Sequence, residues 1–170
     1  MGAELRISGI IRESIVDGPG MRFVVFCQGC PHRCEGCHNP QTHDFNGGNM
    51  CSTDKLIEEI KKDPLLKGVT FSGGEPFCQP EELCVLADDI LAMGLDIISY
   101  SGYTFEELLE MGTKDPKVIE LLNKCDILID GKFELEKRSL ALPFRGSPNQ
   151  RIIDVKESMK QGKAVEKELK

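Results

Sequence analysis

The chain has 170 residues, of which 40% are hydrophobic and 29% charged, and its formal net charge is −7. This length and composition predict one globular domain that buries its own hydrophobic core. The acidic balance argues against a nucleic-acid partner, because phosphate contacts need an excess of lysine and arginine. No apolar run reaches the ~18 residues of a membrane-spanning helix, and the N-terminus lacks the pattern of a signal peptide. We therefore expect a cytoplasmic protein with no membrane partner.

Predicted strands and helices alternate along the chain. Short apolar runs bounded by glycine, proline and polar residues predict the strands, and apolar residues at helical spacing predict the helices. The predicted strands are residues 5–12, 22–27, 68–71, 95–100, 126–129 and 151–155. The predicted helices are residues 53–62, 80–93, 104–111 and 115–124. A polar, glycine-rich connector is expected over residues 39–50.

The alternation favours an α/β fold, with parallel strands and helices packed outside them. Four or five strand–helix units are too few for a closed eight-stranded barrel, which takes ~250 residues. We therefore predict a partial, open (β/α) barrel over residues 1–156. Residues 157–170 are rich in lysine and glutamate, and we expect a charged tail there, either a frayed helix or disordered.

Polar and glycine-rich segments follow the carboxyl ends of four predicted strands. These segments are the cysteine loop after residue 27, Ser72-Gly73-Gly74-Glu75-Pro76, Ser99-Tyr100-Ser101-Gly102-Tyr103 and Asp130-Gly131-Lys132. Sites in parallel α/β sheets are assembled at this end of the strands. The four placements agree, so we expect one site formed by all four segments.

The chain contains eight cysteines, three of them in the pattern Cys30-x3-Cys34-x2-Cys37. Cytoplasmic thiols stay reduced, so clustered cysteines indicate metal binding or catalysis rather than disulfides. Three thiolates at this spacing can hold an iron–sulfur cluster and leave one iron without a protein ligand. Cys27 extends the run to four, which permits a closed structural zinc site or a fully ligated electron-transfer cluster instead. Because Cys27 ends an apolar strand, its thiol is also a candidate for simple packing.

The segment Gly73-Gly74-Glu75-Pro76 follows the strand at residues 68–71. Two glycines let the main chain approach a ligand closely, and the Glu75 carboxylate can accept hydrogen bonds from an ammonium group. The alternative is an ordinary strand-to-helix turn, in which glycine and proline are common.

Two motifs are combined in this chain, Cys30-Pro31-His32-Arg33-Cys34-Glu35-Gly36-Cys37 and Gly73-Gly74-Glu75-Pro76. Together they resemble the radical S-adenosylmethionine enzymes. Further segments resemble the family of small activating subunits of anaerobic ribonucleotide reductases, over about residues 5–155. They are Gly18-Pro19-Gly20-Met21-Arg22, Cys37-His38-Asn39, Tyr100-Ser101-Gly102-Tyr103-Thr104, Asp130-Gly131-Lys132-Phe133 and, most discriminating, Leu142-Pro143-Phe144-Arg145-Gly146-Ser147-Pro148-Asn149-Gln150-Arg151.

The resemblance implies that Cys30, Cys34 and Cys37 bind a 4Fe–4S cluster whose fourth iron is chelated by S-adenosylmethionine. It implies that one electron splits the sulfonium into methionine and a 5′-deoxyadenosyl radical. This radical then takes the Cα hydrogen of a glycine on the large subunit of the reductase. A flavodoxin-like protein or another low-potential donor is implied as the electron source.

The resemblance also implies a set of cofactor-binding residues. In this family resemblance, the amino end of S-adenosylmethionine is bound by Gly73, Gly74 and Glu75. The adenosyl part is bordered by Gly36, Cys37 and His38. Ser101, Asp130 and Lys132 are implied near the ligand; the last two resemble an Asp-x-Lys pair in the activase of pyruvate formate-lyase. Gly36 stands where many radical enzymes have an aromatic residue. For Asp130 and Lys132 the alternative is a polar turn with a solvated lysine.

Three other functions fit the same residues. They are activation of another glycyl-radical enzyme, a radical reaction on a small molecule, and a zinc-held structural module. His32 and His43 are expected to be solvated in a polar loop. Most of the scattered cysteines, Cys51, Cys78, Cys84 and Cys125, are expected to be packing thiols.

Overall fold

The computed structural model describes residues 2–32, 34–37 and 39–168. Within these ranges the chain forms one sheet of seven strands together with five α-helices. The strands are β1 (Glu4–Ser14), β2 (Arg22–Cys27), β3 (Asn49–Ser52), β4 (Gly68–Gly73), β5 (Asp96–Ser101), β6 (Ile127–Asp130) and β7 (Arg151–Asp154). The helices are α1 (Thr53–Lys61), α2 (Pro80–Ala92), α3 (Phe105–Met111), α4 (Pro116–Lys124) and α5 (Val155–Gln161).

The strand order in the sheet is β3-β1-β2-β4-β5-β6-β7. The four central strands, β2, β4, β5 and β6, are parallel, as predicted. The expectation of an all-parallel sheet was wrong for the outer strands, because β3, β1 and β7 pair antiparallel with their neighbours. The connections explain this: no helix crosses over between β1 and β2 or between β6 and β7, and parallel pairing needs such a crossover. The connector predicted over residues 39–50 contains the start of β3.

Helices α1 to α4 begin and end close to the positions predicted from the sequence, whereas α5 begins at the last residue of a predicted strand and was not predicted as a separate helix. The Ser52 hydroxyl accepts from the Asp54 N–H at the start of α1, and Thr104 forms a capping box with Glu107 at the start of α3. Gly94 follows α2 with a φ of +78°, a backbone conformation that glycine adopts at little cost. None of the helices in the described ranges is both long and apolar enough to cross a membrane.

The two faces of the sheet have different neighbours. On one face, strand residues such as Phe23, Phe71 and Leu128 pack with the helices into the main hydrophobic core. On the opposite face, Ile98 and Ile129 belong to a smaller cluster whose other members are Ile127, Ile152, Tyr100 and Phe144. The helices therefore leave this second face to loops, and a cavity forms there at the carboxyl ends of the parallel strands.

The segment after residue 156 is folded as far as the structure describes it. The proposed boundary falls inside α5, whose first turn is capped by Asp154. After α5 the chain returns along β7, where the Asp154 N–H donates to Val165 and the Lys167 N–H donates to Ile152. These bonds cover the open edge of the sheet, and an unpaired edge would otherwise invite association with another chain.

Candidate active site

A cavity of about 820 Å³ lies at the carboxyl ends of the parallel strands. Its volume falls within the ~300–1,000 Å³ range of small-molecule sites. The three predicted metal ligands, Cys30, Cys34 and Cys37, line it together with Gly73 and Gly74. The loops after β2, β4, β5 and β6 all contribute to this one cavity wall, as expected from their positions at the carboxyl ends of the strands.

Main-chain hydrogen bonds fix the start of the cysteine loop. The Gly29 N–H donates to the Thr42 carbonyl at 2.7 Å, and the Gly29 carbonyl accepts from the Glu75 N–H at 2.8 Å. Two residues earlier, at the end of β2, the Cys27 carbonyl accepts from the Gly74 N–H at 2.8 Å. The loop that carries the cysteines is thus held by its own following segment and by the turn after β4.

Gly73 and Gly74 have no room for a side chain, because the main chain of β2 and of Gly29 just after it lies directly against them. A Cβ on Gly74 would lie 2.4 Å from the Gly29 oxygen, and a Cβ on Gly73 would lie 2.8 Å from the Cys27 backbone. Gly73 also has a φ of +91°, which side-chain-bearing residues rarely adopt. This packing brings the two glycines into the cavity wall, within the same surface as the cysteines.

The Cys34 thiol is half-buried, and this burial raises its pKa above the ordinary value of 9.0. A main-chain hydrogen bond from Phe133 and the positive charge of Lys132 act in the opposite direction, because they favour the thiolate. Both residues come from the loop after β6, so this loop supplies two groups that stabilise a thiolate at Cys34. Thiolate is the form of cysteine that binds metals.

The Cys37 sulfur accepts a hydrogen bond from the Asn39 N–H at 3.4 Å. The Cys37 N–H donates in turn to the Cys34 carbonyl at 3.1 Å, which closes a tight turn between the two cysteines. Hydrogen bonds to ligand sulfurs are one of the factors that set the potential of iron–sulfur clusters. The Asn39 N–H is therefore placed where it could influence the potential of a cluster bound to Cys37.

Cys27 lies outside this group. Its side chain is fully buried at the end of β2, and burial raises the pKa of its thiol. Within the described ranges, no three His, Cys, Asp or Glu side chains lie close enough to hold one metal ion. Cys27 has no exposed surface and is absent from the described cavity wall, which Cys30, Cys34 and Cys37 line.

The Glu75 carboxylate is fully buried and makes four contacts within the protein. Its Oε1 lies 2.8 Å from the Gly102 nitrogen and 2.6 Å from Nε2 of His32. Its Oε2 accepts from the Phe77 N–H at 3.1 Å and from the Ser101 hydroxyl at 2.8 Å. A carboxylate offers about four acceptor positions, so these contacts use its full capacity. Glu75 joins the loops around the cavity and is absent from the described cavity wall.

The expectation that His32 is solvated was wrong. Its side chain is 5% exposed, and its ring packs edge-on against Tyr103 with the centroids 4.4 Å apart. His43, the second histidine expected to be solvated, is half-buried and lines the cavity. The His32 side chain therefore points from the cysteine loop into the protein, where it contacts the Glu75 carboxylate.

The other residues implied near the ligand divide into two groups. Ser101 lines the cavity; Lys132 is absent from the described cavity wall, but its positive charge acts on the Cys34 thiol. Asp130 and Gly36 are absent from the described cavity wall. The Asp130 carboxylate is buried and bonded to Arg151, and Gly36 is exposed with its Cα against the Leu135 side chain. His38 lies outside the described residues.

Sequence reasoning missed several residues of the cavity wall. Three are charged, namely Asp17, Arg138 and Arg145. Arg145 belongs to the segment 142–151 that carried the resemblance, so this motif could have indicated a residue of the site. Asp17 directly precedes the Gly18-Pro19-Gly20 motif, which is a weaker indication of the same kind. Among the scattered cysteines, Cys84 and Cys125 are buried as expected, whereas Cys78 is exposed.

Comparisons with known proteins show which family the chain belongs to. A family model described as "4Fe-4S single cluster domain" matches residues 16–153. The anaerobic ribonucleoside-triphosphate reductase-activating protein of Salmonella typhimurium is 35% identical over 149 residues, covering 80% of this chain and 90% of the relative. The protein of the same name from Enterobacteria phage T4 is 35% identical over 144 residues, covering 81% and 86%.

A relative with a different name covers less. The pyruvate formate-lyase-activating enzyme of Clostridium pasteurianum is 39% identical over 118 residues, covering 62% of this chain and 48% of the relative. The two matches of higher coverage share one name, and the matched range of the family model includes the cysteine loop, the glycine turn and the segment after β6. The chain belongs to the family of anaerobic ribonucleoside-triphosphate reductase-activating proteins and carries the 4Fe–4S single cluster domain.

Proposed function

We propose that this protein cleaves S-adenosylmethionine at a 4Fe–4S cluster and generates a glycyl radical on the large subunit of an anaerobic ribonucleoside-triphosphate reductase. The observation that carries the proposal is the common cavity wall formed by Cys30, Cys34, Cys37 and the Gly73–Gly74 main chain. Thiolate ligands and an exposed main chain lie side by side there, as a cluster with a chelated cosubstrate requires. The family membership supports the same conclusion.

The residues present fit a 4Fe–4S cluster, because three cysteines line one cavity while Cys27 is buried apart from it. Cys30, Cys34 and Cys37 would hold the cluster. When bound and reduced, the cluster supplies the electron that splits S-adenosylmethionine into methionine and a 5′-deoxyadenosyl radical, which takes one hydrogen atom from the target glycine. The protein's own contribution is to bind, orient and enclose the reactants.

Charged side chains of the cavity wall match the polar ends of S-adenosylmethionine. Arg138 and Arg145 line the cavity and are suited to the carboxylate, since guanidinium groups pair with carboxylates through two parallel hydrogen bonds. The Asp17 carboxylate lines it as well and suits a positively charged group. Glu75 contributes indirectly, because its carboxylate holds the surrounding loops and has its acceptor positions in use.

The mouth of the cavity is suited to a macromolecular substrate. Ile15 and Val16, which are 76% and 70% exposed, lie at its edge together with the fully exposed Leu140. Exposed apolar side chains around an opening are typical of protein-binding surfaces. We infer that a glycine-bearing loop of the reductase enters here and completes the open side of a partial barrel. A flavodoxin-like or other low-potential donor in the reducing cytoplasm would supply the electron.

The test is anaerobic mixing of the reconstituted, reduced protein with S-adenosylmethionine and the large reductase subunit, followed by electron paramagnetic resonance. A glycyl-radical doublet on the reductase, with one 5′-deoxyadenosine formed per radical, is expected. A parallel sample containing pyruvate formate-lyase tests the second candidate suggested by the shorter match. Cofactor cleavage with no radical on the reductase would contradict the proposed partner. No cleavage at all, with an intact cluster, would contradict the chemistry.

A further inference from the structure

His32 lies between two of the three cluster-binding cysteines, two residues after Cys30 and two before Cys34. Its ring is nearly buried, and Nε2 lies 2.6 Å from the Glu75 carboxylate. We propose that His32 is a positioning residue for the cluster: its bond to Glu75 fixes the cysteine loop against the turn after β4. This inference rests on the proposed function, because it concerns how the same site is held.

The direction of the His32–Glu75 bond follows from the other groups at the carboxylate. Gly102 and Phe77 contribute main-chain N–H groups, which can only donate. The Ser101 hydroxyl accepts from the Tyr103 N–H at 3.0 Å, so its own hydrogen is free to be donated to Glu75. An ionised carboxylate accepts and cannot donate. The contact is a hydrogen bond from His32 to Glu75 when the carboxylate is ionised and the ring carries its hydrogen on Nε2.

The contact joins three loops that form the cavity wall. Glu75 belongs to the turn after β4, Gly102 to the loop after β5, and His32 to the cysteine loop after β2. The His32 ring also rests directly on Gly102, where a Cβ would lie 2.3 Å from the ring. A displaced His32 would therefore move Cys30 and Cys34 relative to the Gly73–Gly74 main chain, where the proposed cosubstrate binds.

Two variants separate the hydrogen bond from the packing of the ring. His32→Phe keeps an aromatic ring against Tyr103 and Gly102 but removes the donor. His32→Gln loses the ring and keeps an N–H at about the position of Nε2. Partners outside the ligand shell of metal sites typically change metal affinity or activity by about 10- to 100-fold. We therefore expect His32→Phe to weaken S-adenosylmethionine binding at least about 10-fold and His32→Gln to restore most of it.

The measurements are iron and sulfide content after anaerobic reconstitution, and the electron paramagnetic resonance spectrum of the reduced cluster titrated with S-adenosylmethionine. For His32→Phe, we expect a smaller or altered cosubstrate-dependent spectral change. Urea unfolding of the cluster-free proteins shows whether each variant folds.

If His32→Phe folds and its titration matches wild type, the positioning role is refuted while the proposed function stands. If His32→Gln is as defective as His32→Phe, the hydrogen bond is not the cause, and the inference also fails. If wild type itself shows no spectral response, the proposed function fails instead.

Discussion

The Asp130 carboxylate is bonded to the Arg151 guanidinium by two hydrogen bonds, from Nε to Oδ1 at 3.1 Å and from Nη2 to Oδ2 at 2.6 Å. Its Oδ2 also accepts from the Phe105 N–H at 2.7 Å, at the start of α3. Asp130 thereby ties β6 to β7 and to a helix on the covered face of the sheet. Lys132, its neighbour in the Asp-x-Lys pair, instead influences Cys34 in the cavity wall. The two residues of the pair therefore have separate roles.

The variant Asp130→Asn should destabilise the fold. Breaking a buried ion pair costs ~3–5 kcal/mol, and the partial exposure of Arg151 reduces this to about 2–3 kcal/mol. Urea unfolding of the cluster-free protein measures the change. The exposed Lys132 provides the matched control, since Lys132→Gln should change the free energy of unfolding by less than about 0.5 kcal/mol yet weaken S-adenosylmethionine binding. The reverse pattern would mean that Asp130 serves the cosubstrate directly.

The variant Gly74→Ala should disturb both the fold and the site. The added methyl group would lie 2.4 Å from the Gly29 oxygen, a main-chain atom that cannot move without shifting the cysteine loop. We expect a loss of about 1–3 kcal/mol in the free energy of unfolding, typical of overpacking, together with less iron bound per chain. Gly9→Ala is the control, because nothing lies within 4 Å of a Cβ there. Full iron loading of Gly74→Ala would show that this close contact does not position the cysteines.

Much of this architecture follows from local sequence patterns, and the exceptions have physical reasons. Alternation along β6 places Ile127 and Ile129 on the cavity face and Leu128 against the helices. The same alternation puts Asp130 on the face of Leu128, away from the cavity. The sequence thus indicated the position of Asp130, but the resemblance to an Asp-x-Lys pair suggested a place near the ligand instead. The antiparallel direction of β1 and β7 was not predicted, because pairing direction depends on loop paths, which propensity does not encode.

The contact between His32 and Glu75 lay beyond sequence reasoning for a different reason. The two residues are 43 positions apart and belong to loops after different strands. Each is polar and loop-borne, and such residues are usually solvated. Only the parallel pairing of β2 with β4, which places these loops side by side, makes the contact possible. The three cysteines were predictable because their short spacing keeps them together in any fold.

The exposed residues at the mouth of the cavity should contribute to partner binding. We expect the double variant Ile15→Ser, Val16→Ser to bind the large reductase subunit about 10-fold more weakly, a loss of ~1.4 kcal/mol. Anaerobic biolayer interferometry or analytical ultracentrifugation measures the affinity. Leu65→Ser is the matched control, because Leu65 is 73% exposed, close to the 76% of Ile15, and does not line the cavity. Equal weakening by both variants would show that the cavity mouth has no special role.

Stability of the cluster-free protein should fall above about pH 9. Burial raises the pKa of the Cys125 thiol, so the folded state keeps a proton that the unfolded state releases near the ordinary value of 9.0. The unfolded state then binds fewer protons, and the free energy of unfolding decreases as the pH rises. Between about pH 8 and pH 10, the loss should be about 1.4 kcal/mol smaller in Cys125→Ala than in wild type. An identical loss in both proteins would contradict the assigned burial effect.

The central claim is that three cysteines, and not four, hold the cluster and leave one iron for S-adenosylmethionine. The most direct measurement compares Cys27→Ala with Cys30→Ala, Cys34→Ala and Cys37→Ala after anaerobic reconstitution, by iron and sulfide content and by 5′-deoxyadenosine formation. Cys27→Ala should retain about four irons per chain and form 5′-deoxyadenosine, because its thiol is buried outside the cavity wall. The other three variants should each lose this activity. Equal loss in all four variants, or zinc without inorganic sulfide in the wild-type protein, would contradict the account.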